Sequence, residues 1–196
     1  MIRDDGYADG TIINEFRAKM EAPKVTVYEI LKATGPATRE GEVVGDALSY
    51  ILDMVYVTTM REEEGGTYGA QSVSRYYDEP YNEHILLIAF DTNEQQAERL
   101  CELSIKSIED IAANGPSAED FDKALKNLQK SLPEDRLSVA YWESAIKNNV
   151  LYGGNYDAEY EAAVNALTPE KIQAAAAELL SSGNFVKVEM LPEAAE

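Results

Sequence analysis

The chain is organised around the sequence Met60-Arg61-Glu62-Glu63-Glu64-Gly65-Gly66-Thr67-Tyr68-Gly69, because a long helix is predicted to end there and a hairpin to follow. A glycine can adopt the left-handed conformation that ends a helix, and a second glycine allows a sharp turn. Arg61 is therefore expected in the last helical turn, with Tyr68 just beyond the turn. The helix is predicted over residues 39–64 from apolar positions at three- and four-residue spacing: Val44, Leu48, Ile51, Leu52, Val55 and Thr59.

Extended segments flank this helix on both sides. Residues 25–31 form a β-branched and aromatic run, which predicts an interior strand that ends at Gly35-Pro36. After the glycine turn, residues 67–76 and 83–90 predict two antiparallel strands joined by the loop 77–82. Tyrosines 76, 77 and 81 cluster at the tip of this hairpin, where they could contact a partner or pack on one another.

Several helices are predicted next. Thr92 and Gln95 have the spacing of a capping box for a helix that ends at Asn114-Gly115-Pro116, and Ser117 with Asp120 can cap a helix that Pro133 breaks or kinks. A further helix is predicted, and two more follow at 157–166 and after Thr168. The first of these three has one apolar face, made of Val139, Trp142, Ile146 and Val150.

The last predicted element is a strand in which Val186, Val188 and Met190 form the buried face and alternate with Lys187 and Glu189. The order of elements predicts an α+β fold, with a largely antiparallel sheet covered on one face by helices. Residues 23–196 are expected to form a single domain. Residues 1–22 are expected to be a connector with a short helical piece at 15–20, inside a longer multi-domain protein.

Composition excludes several classes of partner. The 196 residues carry a formal net charge of -19, which repels phosphate backbones and anionic headgroups, so neither nucleic acid nor a membrane surface is expected to bind. No apolar run is expected to cross a bilayer, and the chain is expected to be soluble. The single cysteine, Cys101, is expected in the core. One cysteine does not indicate the cellular compartment. A periplasmic location, reached through an export signal outside this sequence, is one of the possibilities.

The sequence lacks the residues for a catalytic zinc site of its own. Such a site needs three protein ligands, commonly including two histidines, and the chain contains only His84. His84 lies in an apolar strand and is expected to be a partly exposed strand residue. The acidic run 62–64 is expected to be a solvated helix end rather than a cation site, because consecutive helical side chains point in different directions.

The stretch from Ile51-Leu52-Asp53 through residues 61–69 resembles a motif in the C-terminal domains of the pitrilysin-type zinc metallopeptidases, which include insulin-degrading enzyme and the mitochondrial processing peptidases. The family form is a helix that ends in Arg-Glu, a glycine turn, and a tyrosine seven positions after the arginine, as at Arg61 and Tyr68. The similarity continues through the hairpin, the break at 114–116 and the helix start Ser117-Ala118-Glu119-Asp120-Phe121.

The resemblance implies a substrate-binding domain that completes the active site of a zinc endopeptidase and is inactive alone. Arg61 would bind a substrate carbonyl or carboxylate, and Tyr68 would donate a hydrogen bond to the developing oxyanion. The zinc would be held by an N-terminal domain or subunit outside this chain, which with the peptide substrate is the implied partner. Two alternatives stay open: a non-catalytic structural homologue, like the core subunits of respiratory complexes, and an unrelated binding module.

Overall fold

The computed structural model describes residues 9–77 and 82–193. These residues form five strands and six α-helices around one apolar core. In chain order the elements are β1 (Thr11–Ala18), β2 (Val25–Thr34), α1 (Arg39–Tyr56) with its π-helical continuation (Val57–Glu63), β3 (Ala70–Tyr77), β4 (Glu83–Thr92), α2 (Ala97–Asn114), α3 (Ala118–Asp135), α4 (Val139–Tyr152), α5 (Tyr156–Asn165), α6 (Pro169–Ser181) and β5 (Asn184–Pro192).

The five strands form one sheet in the order β1-β5-β2-β4-β3. The β1–β5 pair is parallel and the other three pairs are antiparallel. Alternate residues of β2, β3 and β4 are buried, since helices pack on one face of the sheet. The predicted α+β fold with a largely antiparallel sheet is therefore confirmed, and so is the hairpin of β3 and β4. Of the predicted tyrosine cluster, residue 81 lies with residues 78–80 outside the described residues.

The long helix is confirmed, but its last turns are wound differently. Thr38 caps α1 by accepting a hydrogen bond from the Gly41 amide. From Val57 the backbone continues as a π-helix, in which the Glu64 amide donates to the Thr59 carbonyl five residues earlier. Wider helical turns of this kind occur frequently at functional sites.

The segment Arg39–Glu63 is long and apolar enough to cross a membrane, with a mean hydropathy of 1.2 in its most apolar window, of which 56% is buried inside the fold. The expectation that no segment reaches that length is therefore wrong. Its apolar side chains have a structural explanation, because residues such as Leu48, Ile51 and Leu52 are completely or almost completely buried in the core.

The first strand corrects the sequence analysis. Residues 11–18 of the expected connector form β1, so the prediction of a helical piece at 15–20 is wrong. This edge strand pairs with β5, where Ile12 lies opposite Val186. The partner comes from the other end of the chain, and local sequence carries no signal for such a distant pairing.

The orientation of β5 is also the reverse of the prediction. Lys187 lies beside Glu29 in the antiparallel register, and Glu29 is completely buried beneath α2. Paired residues point to the same side of a sheet, so Lys187 and Glu189 face the helices. Val186, Val188 and Met190 face the side of the sheet that no helix in the described chain covers.

The apolar face predicted for α4 exists but points outward. Its four residues are exposed: Val139 by 83%, Trp142 by 43%, Ile146 by 61% and Val150 by 79%. In this helix only Ala145 is buried. Helical spacing identified which side chains share a face, but it carries no information about whether that face meets the core.

Two predictions about helix ends are only partly right. Ser117 does cap α3 by accepting from the Asp120 amide, yet the helix continues through Pro133. The predicted capping box at Thr92 is wrong, because the Thr92 hydroxyl donates to the Gly66 carbonyl at 2.6 Å. The Asn93 side chain instead accepts from the Gln96 amide at the start of α2.

Candidate functional site

Arg61 and Tyr68 stand on either side of the turn that joins α1 to β3. Arg61 lies in the last turn of the π-helical segment and is exposed. Tyr68 lies two residues before β3, and 98% of it is exposed. Within residues 9–77 and 82–193, neither side chain makes a hydrogen bond or an ion pair. Both are therefore free to contact a ligand.

The two glycines between them have different roles. Gly65 has φ +60°, which confirms the left-handed residue predicted at the helix end. Gly66 is required by close packing instead, because a Cβ at this position would lie 2.9 Å from the Leu100 Cδ1 atom. Its amide donates to the Met60 carbonyl, and its carbonyl accepts from Thr92. The loop that carries Tyr68 is thus held to α1, β4 and α2.

Glu64 adds a second attachment to α2. Its carbonyl accepts from the Gln96 side-chain amide at 3.1 Å, and its carboxylate accepts from Arg99 Nε at 3.0 Å. Glu64 is therefore not simply a solvated charge, as expected for the acidic run. Glu62 and Glu63 are exposed, and in the described chain they form no ion pair. Glu64 thus attaches the end of the helix to α2, whereas Glu62 and Glu63 remain exposed to solvent.

A cleft of about 640 Å³ lies beside Tyr68. Its walls are the loop 65–68, the segment Pro23-Lys24 before β2, and residues 91–93 at the end of β4. Asp91 accepts hydrogen bonds from Lys24 Nζ at 2.7 Å and from Thr26 Oγ1 at 2.6 Å. Burial acts to raise the pKa of Asp91, but the two hydrogen bonds together with the positive charge of Lys24 outweigh it and lower the pKa. Each oxygen of the Asp91 carboxylate therefore accepts one hydrogen bond from a neighbouring side chain.

Arg61 is not among the residues that line this cleft. The expectation that Arg61 and Tyr68 address one ligand therefore stays a prediction. The sequence analysis missed Lys24 and Asp91, which are 67 positions apart and meet only because β2 and β4 pair. Their positions at the start of one strand and the end of its neighbour are the only sequence signal for this contact.

His84 is fully buried rather than partly exposed, which corrects the expectation. It stacks on Tyr76 with ring centroids 4.0 Å apart, and its Nε2 is 2.9 Å from Ser74 Oγ. Burial lowers the pKa of His84 to about 4, so the ring is neutral at pH 7. Across the described ranges no group of three or more histidine, cysteine or acidic residues could hold a metal ion. The histidine, cysteine and acidic residues in the described ranges therefore do not provide the three ligands that a catalytic zinc needs.

A second cavity of about 510 Å³ lies at the opposite end of α1. Its walls include Arg39, which is paired with Glu42, and Asp46, which accepts from the Tyr160 hydroxyl. The motif residues 61–69 do not line it. The candidate site is therefore the cleft beside Tyr68, although the second cavity is also well formed.

Comparisons with known proteins identify the family and the fold. A family model described as the Peptidase M16 inactive domain matches residues 13–128, more than half of the chain. A search of curated protein sequences finds no match.

Solved structures share the fold. The periplasmic protease PqqL from Escherichia coli has a TM-score of 0.77 and 20% identity, with 93% of this chain and 21% of that chain covered. A peptidase M16 inactive domain from Pseudomonas fluorescens has a TM-score of 0.73 and 19% identity, with 96% and 45% covered. The ferredoxin protease FusC, in complex with Arabidopsis ferredoxin, has a TM-score of 0.79 and 15% identity, with 95% and 21% covered. The chain thus spans less than half of the length of these structures.

Proposed function

Because the chain belongs to the M16 peptidase family, in which it matches the inactive domain, we propose that it binds peptide substrate and completes the active site of a zinc endopeptidase. One observation carries the proposal. Tyr68, at the position of the family tyrosine, is 98% exposed beside a cleft, on a loop that is tied to the core. An exposed aromatic on an anchored loop is positioned for a ligand rather than for packing.

The proposed chemistry assigns one role to each side chain. The Tyr68 hydroxyl donates a hydrogen bond to the oxygen of the scissile carbonyl as negative charge develops there. The Arg61 guanidinium donates to a substrate carbonyl or carboxylate and orients the peptide. The zinc-bearing domain or subunit, outside this chain, supplies the activation of the attacking water. This chain alone is therefore expected to cleave no peptide.

The test is the kinetics of Tyr68→Phe in the peptidase assembled from this chain and its zinc-bearing domain or subunit. Loss of one oxyanion donor should lower kcat by roughly a hundredfold while KM changes little. Tyr77→Phe is the matched control, because Tyr77 is also exposed, by 47%, but lies at the other end of β3. Unchanged kcat in Tyr68→Phe would contradict the proposal.

A non-catalytic structural role is the second candidate. One solved structure with the same fold is Complex III2 from Candida albicans, with a TM-score of 0.70 and 10% identity. The exposed apolar face of α4 is the observation in this chain that favours a docking role. If the chain is structural, Val150→Asp on this face should disrupt its assembly with the partner, while Tyr68→Phe should change nothing that can be measured.

The compartment is part of the same proposal. The similarity to a periplasmic protease supports a role outside the cytoplasm. Fractionation of the native host, followed by detection of this chain with an antibody, would test it, and detection in the cytoplasm alone would contradict it.

A further inference from the structure

We propose that the cleft beside Tyr68 is a substrate subsite that selects an acidic side chain, and that Lys24 is the residue that determines this selectivity. The inference rests on the proposed function and adds a substrate class to it. A cleft of about 640 Å³ is of the size that proteins use for small ligands and short segments. It is therefore large enough to receive a substrate side chain together with its flanking backbone.

Most polar groups in the cleft already have partners. The Thr92 hydroxyl donates to the Gly66 carbonyl, and the Thr67 hydroxyl donates to the Gly69 carbonyl. The Asn93 side-chain amide donates to Gln96 Oε1 at 2.6 Å. These internal hydrogen bonds hold the walls of the cleft in place.

Lys24 is different because an ammonium group has three donors. One of them goes to Asp91 at 2.7 Å, and the Lys24 side chain is 49% exposed. The other two donors have no acceptor in the described part of the chain. Among the described residues that line the cleft, Asp91 is the only carboxylate, and each of its oxygens already accepts one hydrogen bond from a neighbouring side chain. The two Lys24 donors that have no acceptor match a carboxylate of the substrate.

The net charge of the whole domain makes the cleft different from most of the surface. A net charge of -19 repels acidic peptides from most of the surface. In the cleft, however, the charge of Asp91 is balanced by Lys24, and the remaining lining residues are neutral. An acidic residue of a bound peptide should therefore meet less repulsion in this cleft than on most of the surface. The Tyr68 hydroxyl would then lie close to the peptide backbone that follows.

The experiment compares three peptides in the assembled peptidase that differ only by glutamate, glutamine or lysine at the tested position. The position is scanned along the peptide. With wild-type protein, glutamate should give a KM roughly two- to fivefold lower than glutamine, the range expected for a half-exposed ion pair. Lysine should give the highest KM. Lys24→Glu should reverse the order of glutamate and lysine.

The matched control is Lys106→Glu. Lys106 also pairs with a carboxylate, that of Asp110, but it does not line the cleft. Its substitution by glutamate changes the net charge by the same amount as Lys24→Glu. It should keep the wild-type order. The double variant Lys24→Met with Asp91→Asn removes both charges without leaving two carboxylates together, and it should abolish the difference between glutamate and glutamine.

The outcomes separate this inference from the proposed function. A wild-type order of KM in Lys24→Glu, or no preference in the wild-type protein at any position, would overturn the inference. If Tyr68→Phe lowers kcat in the same assays, the proposed function stands even when the subsite fails. If Tyr68→Phe has wild-type kinetics, the proposed function fails as well.

Discussion

Polar side chains are exposed in the loop that carries Tyr68 and buried in the cluster around Glu29. Tyr68 and Arg61 have no internal partner in the described residues, whereas Glu29 is completely buried and accepts a hydrogen bond from Ser104 of α2. Near Glu29, Lys187 pairs with Glu189 at 3.1 Å. The side chains of Arg61 and Tyr68 thus remain available to a ligand, whereas the polar groups of the cluster bind one another between the sheet and the helices.

Exposure alone does not separate a functional region from a structural one in this molecule. The loop is exposed at its tip, yet Gly66 beneath it is buried against Leu100. The cluster is buried, yet one Glu29 oxygen has no hydrogen-bond partner among the described residues. A functional loop therefore depends on buried contacts, and a buried cluster can retain an unsatisfied group that costs free energy.

The largest effect should come from Gly66→Val, which tests how strongly the loop depends on its support. The added side chain would overlap Leu100, so the free energy of unfolding should fall by about 3 kcal/mol. Gly69→Ala is the control, since a Cβ at Gly69 would meet no atom within 4 Å. Urea denaturation of both variants measures the difference, and equal stability of the two would show that the loop is not anchored at Gly66.

The next effect concerns Glu29, whose pKa is raised to about 7, mainly by burial. The native state therefore holds the proton more tightly than the unfolded state. Between about pH 4.5 and 7 the unfolded chain loses this proton while the native chain keeps it, so stability falls as the pH rises through this window. Above pH 7 the cost remains constant.

Glu29→Gln removes this titration. The variant should be stabilised relative to wild type by about 2 kcal/mol more at pH 8 than at pH 5. Glu63→Gln is the exposed control and should show no such difference. Thermal or urea unfolding at both pH values checks the result, and a pH-independent effect of Glu29→Gln would mean that the buried carboxyl is not the cause.

The smallest effects compare a tyrosine hydroxyl in each region. Tyr56 is completely buried, and its hydroxyl donates to the Ser104 carbonyl at 3.3 Å. Tyr56→Phe should therefore lower the free energy of unfolding by about 1 kcal/mol. Tyr68→Phe should change it by less than about 0.5 kcal/mol, because its hydroxyl has no partner in the described chain. A larger loss for Tyr68→Phe would indicate a structural role for Tyr68.

Local patterns in the sequence were sufficient for much of the fold. The helix that ends at the glycine turn, the hairpin after it and the α+β class all followed from spacing and turn residues, and the structure confirms them. The positions of Arg61 and Tyr68 on either side of the turn also followed. Their joint action on one ligand remains a prediction, since Tyr68 lines the cleft and Arg61 does not.

Predictions about what a face contacts were less successful. The apolar residues of α4 share a face as predicted, but that face is exposed, and β5 turns Lys187 and Glu189 toward the helices. A period of 3.6 or 2 identifies residues that point together, but it cannot identify what lies opposite them. In β5, Lys187 lies opposite Glu29 of β2, which is far away in the sequence.

Local sequence accounts for the order of the elements from β2 to β5 and for the glycine end of the long helix, because capping, glycine conformation and hydrophobic spacing act between neighbouring residues. The fold as a whole sets the parallel pairing of β1 with β5, the packing of Gly66 on Leu100 and the contact of Lys24 with Asp91. These contacts join residues between 34 and 174 positions apart, as in Gly66 with Leu100 and Ile12 with Val186. Contacts over such distances depend on how whole elements pack, and no local preference of the backbone specifies them.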